Sequence, residues 1–106
     1  MRLVLFSIYD SAAGSFMRPF PVASDQQAHR AFKDLVTDAD HPIGKHPEDY
    51  TLHRLGVFDD QTGEFHNEIN EQQQTGLAVL AASRTVDTEQ IELLQKSING
   101  ADLNAV

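Results

Sequence analysis

The stretch LVLFSIY (residues 3–9) restricts the fold more than any other part of the chain. In an extended backbone Leu3, Leu5 and Tyr9 fall on one side, and Val4, Phe6 and Ile8 on the other. A strand that is apolar on both sides needs cover on both, which predicts a central position in a sheet. Read as a secretory leader, the same run lacks a small-residue exit site, and Asp10 follows it at once. A first β-strand is the better reading.

The rest of the chain supplies partners for that strand. DSAAGS (10–15) is small and turn-forming, and FMRPFPV (16–22) contains prolines that confine any strand there to an edge. SDQQAHRAFKDLVTDAD (24–40) predicts a helix, with Ser24 and Gln27 as a capping box. Ala28, Phe32, Leu35 and Val36 form its apolar face, and Arg30, Lys33 and Asp34 lie away from it. HPIGKHPED (41–49) is expected to be a loop, because of its two prolines and glycine. YTLHRLGVF (50–58) reads as a strand, with Thr51, His53, Leu55 and Val57 on one face. Tyr50, Leu52, Arg54 and Phe58 fall on the other. DDQTG (59–63) is a turn in which Gly63 takes positive φ, and EFHNEI (64–69) returns as a shorter strand. The polar run 70–76 reads as a connector, and 77–83 is ambiguous between strand and helix, with the strand favoured. DTEQIELLQKSI (87–98) reads as a second amphipathic helix, with Ile91, Leu94 and Ile98 on its apolar face and Gly100 as its C-terminal cap. The expected architecture is one α+β domain over residues 1–99. In it the N-terminal strand and a hairpin at 50–69 form an antiparallel sheet packed against two amphipathic helices, and residues 100–106 are a frayed tail.

Composition removes several function classes. The 106 residues include no cysteine, so thiolate chemistry, disulfides and zinc–sulfur sites are out of reach. No apolar run approaches the length of a membrane span, and no membrane association is expected. The formal charge of −8 is unevenly spread. Residues 1–58 hold six cations against seven acids, and residues 59–106 hold two against nine. Affinity for nucleic acid grows with the phosphates neutralised, so any such contact must use a local patch in the first half.

Candidate sites narrow further. His41 and His46 share a proline-rich loop with Glu48 and Asp49, yet the spacing matches no metal motif and no metal is expected. There is no G-x-S-x-G elbow and no phosphate-binding glycine loop, so neither an enzyme nor a cofactor is expected. Asp59 and Asp60 sit at a hairpin tip, where adjacent acids form turns and keep an unshifted proton affinity. A single-strand grip needs cations for phosphates and flat rings for bases. Phe16, Arg18 and Phe20 alternate, placing both rings on one side of an extended segment. Lys45, His46, Tyr50 and Arg54 form a second candidate group, and Arg30 with Lys33 a third. The same rings could equally be plain core.

Taken in order, these segments resemble a known family. The set runs from IYDS through PFPV and the helix AxRAFxDLVxD to KHPEDYTLHRLGVFDDQTGE. It is similar to the small nonstructural protein of the gokushoviruses, single-stranded DNA phages of the Microviridae, over about residues 3–66. The resemblance implies a non-enzymatic role in single-stranded genome synthesis and its coupling to packaging, in the host cytoplasm. It brings no catalytic residues with it. The expected ligand is single-stranded DNA. The competing expectation is an adaptor that binds the replication initiator or procapsid through the acidic second half. A homodimer is compatible with so small a core.

Overall fold

The computed structural model describes residues 1–84. Strand β1 (Arg2–Asp10) is the centre of a five-stranded antiparallel sheet. One side of it is edged by two short strands, β2 (Ser15–Phe16) and β3 (Phe20–Val22). On its other side β4 (Tyr50–Asp59) pairs along its whole length, and β5 (Phe65–Thr75) pairs with β4. Pro21 sits opposite Leu5 on the broken edge, where its missing N–H leaves no inner ladder bond unmade. The central position expected for a doubly apolar strand is therefore observed.

One face of this sheet carries the core. Phe6 and Ile8 of β1 and Leu52 of β4 meet Ala28, Phe32 and Val36 of α1 (Asp25–Val36), all essentially buried. Each fully buried side chain of this size contributes about 1.5–3 kcal/mol through the apolar area it removes from water. The expected helix face is the observed one, with Leu35 partly buried at its margin. Ser24 caps α1 by accepting from the Gln27 N–H, while Gln27 Oε1 accepts from the N–H of Ala23 and not from that of Ser24. The helix stops at Val36, short of residue 40: Thr37 is its C-cap, its hydroxyl donating to the Lys33 carbonyl, and the Asp38 N–H tightens onto the Leu35 carbonyl three residues back.

Four local expectations are corrected. Residues 41–49 are not an irregular loop: they form α2 (Pro42–Lys45) and a 3-10 turn (Pro47–Asp49). Proline is well suited to the first helical position, where its absent N–H costs nothing, and His41 Nδ1 accepts from the Ile43 N–H as a cap. Gly44 is needed there, since a Cβ would lie 1.8 Å from the Asp38 carbonyl oxygen. The polar run at 70–76 is no connector; β5 continues through Thr75, its polar side chains suiting an exposed outer strand. Residues 76–84 are helical, labelled α3, where a strand was expected for 77–83. Gly76, Val79, Leu80 and Ser83, at i, i+3, i+4 and i+7, are the less exposed positions of α3, and Val79 and Leu80 pack against the core. The fourth correction concerns β4. Leu5 faces Gly56 but Phe6 faces Arg54, so Leu55 bulges out. Strict alternation fails at that point. Val57 joins the core-side face opposite Val4, and Phe58 moves to the far face opposite Leu3.

The second helix expected at 87–98, its cap and the tail at 100–106 lie outside the described residues. No helix among the described residues is long and apolar enough to cross a membrane.

Phe32 is the α1 side chain on which this core closes. Replacing Phe32 with Ala should cost about 3–5 kcal/mol of stability, read as a lower urea midpoint with little change in slope. A loss below about 1 kcal/mol would show that α1 is not packed as described.

Candidate nucleic-acid interface

The rings expected on one side of the 16–22 segment are separated by the fold. Phe16, on β2, projects onto the sheet face away from α1 and is 44% exposed. Phe20, on β3, stacks on Phe6 with centroids 6.3 Å apart and packs against the core. The non-strand residues between β2 and β3 break the alternation that would have kept the two rings together.

Two further candidates are used by the fold itself. Arg54 donates from Nε to Asp25 Oδ1 at 3.2 Å and from Nη1 to Glu68, with only 24% of its side chain exposed. It ties β4 to the first turn of α1 and to β5. Tyr50 packs against the core, and its phenol is pushed above its ordinary pKa by burial, then by Asp10 and Asp49. The remaining cations stay at the surface. Arg30 and Lys33 flank a groove of roughly 490 Å³ between α1 and α3. In that groove Gln74 Oε1 is buried without a hydrogen-bond partner among the described residues. Arg18 lies beside Ala31 and Leu35 on another side of α1, and Lys45 ends α2. His46 lies 3.6 Å from Glu48, and His46, Glu48 and Asp49 hold their ligand atoms within 4.8 Å of one another. That cluster is mainly acidic and opens to solvent.

On the far face the sheet assembles a ring group that alternation within single segments does not reveal. Tyr9 pairs with Phe16 across the β1–β2 turn, with centroids 4.9 Å apart. His53 meets Phe16 nearly edge-on at 5.1 Å and an 82° angle. Both His53 nitrogens are engaged: Nδ1 lies 2.8 Å from Asn70 Oδ1, and Nε2 lies 2.8 Å from the Thr51 hydroxyl. Around these rings lies an open groove of roughly 520 Å³, lined also by Thr51, Gln72, Glu48 and Asp49. Its end is fixed by Ser11, whose N–H and hydroxyl both donate to the Asp49 carbonyl. The signal for Tyr9 and His53 was present, since each shares a strand face with known neighbours. Only the β1–β4 register brings those faces together.

Asp59 and Asp60 form the turn as expected, with Gly63 at φ 75°. Asp60 accepts from the N-terminal ammonium group at 2.6 Å. The Asp59 carboxyl does not keep an unshifted proton affinity. The N–H groups of Gln61, at 2.9 Å, and Thr62 hold it below the usual carboxylate range. A general acid needs the opposite shift.

A family model described as Phage ORF5 protein matches residues 3–78 of this chain. The match runs from β1 into α3 and so includes every residue of the far-face groove. Protein ORF5 of Chlamydia phage 1 is 34% identical over 70 residues, which cover 62% of this chain and 73% of that protein. The resemblance to a gokushovirus protein is thereby borne out. No solved structure matches significantly.

The Asp59 shift has a definite sign. A carboxyl whose folded pKa lies below its unfolded value, ordinarily 3.8, adds stability above that value. This stability is lost as pH falls through the folded pKa. Thermal melts should show the protein weakening over that acid window, and D59N should weaken less. Identical acid profiles for the two proteins would refute the turn's role.

Proposed function

The chain belongs to the phage ORF5 protein family and is a phage accessory protein, and we propose that it acts without catalysis in single-stranded genome synthesis and packaging by binding single-stranded DNA. The observation that carries this reading is the half-exposed Phe16 ring, grouped with Tyr9 and His53 on a sheet face that no described helix covers. Flat rings presented on a sheet suit stacking against unpaired bases, which a duplex does not offer. Phosphate contacts fall to Arg18, Arg30, Lys33 and Lys45, whose side chains have no ion-pair partner among the described residues. Arg54 and Tyr50, used in the fold, are positioned to support the structure, and Phe20 belongs to its core margin.

A second reading is an adaptor for a basic phage protein, such as the replication initiator or a procapsid component. The exposed acids Glu64 and Glu71 of the β4–β5 hairpin favour it, because they would attract a basic surface and repel naked DNA.

Fluorescence anisotropy of labelled single-stranded and duplex oligonucleotides over a salt series separates the two. Single strands should bind more tightly, with log affinity falling as log salt rises. Alanine at Arg18, Arg30, Lys33 and Lys45 together should flatten that slope by up to about 3, at roughly 0.7 per phosphate contact. R54A should lower stability and leave the slope alone. Absence of micromolar binding at low salt would overturn the DNA reading and leave the adaptor.

A further inference from the structure

We propose that the far-face groove at Tyr9, Phe16 and His53 is a subsite for one unpaired nucleobase carrying an exocyclic amino group, cytosine being the simplest case. The inference rests on the single-strand reading above and names the part of the strand that this groove would take.

The rings are held before any ligand arrives. Phe16 is tilted at 49° to Tyr9 and stands nearly perpendicular to His53, so its neighbours fix it while part of its surface stays open. His53 cannot turn without breaking bonds at both nitrogens, to Thr51 and Asn70. The tie from Ser11 to the Asp49 carbonyl holds the groove's end to the β1–β2 turn. A site held in this way loses little conformational freedom on binding.

The polar lining selects the occupant. Asp49, Glu48, Thr51 and Gln72 line the groove, with the Glu48 carboxylate also 3.6 Å from His46 and the Thr51 hydroxyl already bonded to His53, so the acids and the Gln72 amide are the polar groups left for an occupant. Ionised carboxylates only accept hydrogen bonds, and they repel phosphate. The sugar–phosphate chain is therefore kept out of the groove, and a flat uncharged group with outward N–H donors is favoured within it. The amino groups of cytosine, adenine and guanine meet that description, and a carboxylate accepting from cytosine N4 is a standard pairing. Thymine offers a carbonyl at the matching position. The acidity that weakens general DNA binding thus becomes, at this site, a means of choosing base over backbone.

The test compares labelled oligonucleotides of deoxycytidine, of thymidine and of abasic backbone, equal in length and at one salt concentration. Deoxycytidine should bind most tightly and the abasic strand least. F16A should weaken deoxycytidine binding by about 5- to 100-fold, close to the abasic level. F16W should preserve the affinity, and D49N should narrow the gap between deoxycytidine and thymidine. The chain has no tryptophan and two tyrosines, so in Y50F the remaining phenol emission belongs to Tyr9 and should be quenched by the deoxycytidine strand alone. If all three strands bind equally, or folded F16A binds as the wild type does, the subsite is overturned and the single-strand reading stands. If no strand binds, both fall. Self-association that F16A abolishes, without oligonucleotide binding, would assign the face to a second copy of the chain and also overturn the subsite.

Discussion

The structure depends on the antiparallel pairing of β1 with β4. It runs from Arg2 opposite Asp59 to Asp10 opposite Tyr50, and it makes the most apolar segment of the chain the middle of the sheet. Burial of Phe6 and Ile8 against Phe32 and Val36 follows from it, because α1 can cover only the face those side chains share. Ser7 between them is also wholly buried, and it is tolerated because its hydroxyl donates to the Met17 carbonyl at 2.6 Å. That bond anchors the chain just where the broken edge passes from β2 to β3.

Irregularities in the outer strands decide which side chains remain available. Between Asn67 and Glu71, β5 has three residues opposite the single Leu55 of β4, and it swells outward at 68–70. Glu68 sits in this swelling and bonds Arg54, whose other bond is to Asp25. A cation that would otherwise be exposed becomes a joint between the sheet and α1. The same swelling interrupts the outer edge of β5, which pairs with no other strand among the described residues, a recognised protection against edge-to-edge pairing.

Charge and shape are divided between the two faces of the sheet. Surface cations gather on the helix side, while the far side combines rings with carboxylates. A strand that used both would wrap an edge instead of lying flat, with phosphates toward α1 and a base turned across the sheet. Such an arrangement needs no net positive charge, because attraction at one face and base contacts at the other act on different parts of each nucleotide.

By itself the sequence determined the elements whose signals are local. The doubly apolar run made β1 central, the spacing of Ala28, Phe32 and Val36 made α1 and its buried face, and DDQTG made the hairpin turn. The family was also legible, because its motifs are ordered along the chain. Tertiary structure decided the rest, wherever a side chain's fate depends on register. The bulge at Leu55 reversed the faces of Val57 and Phe58, and packing against the core turned 76–84 into a helix where propensity was indifferent. It also set Phe16 and Phe20 on opposite faces and brought Tyr9 to His53. A change of one residue in pairing exchanges the two faces of a strand, so no count along the chain could have located that groove.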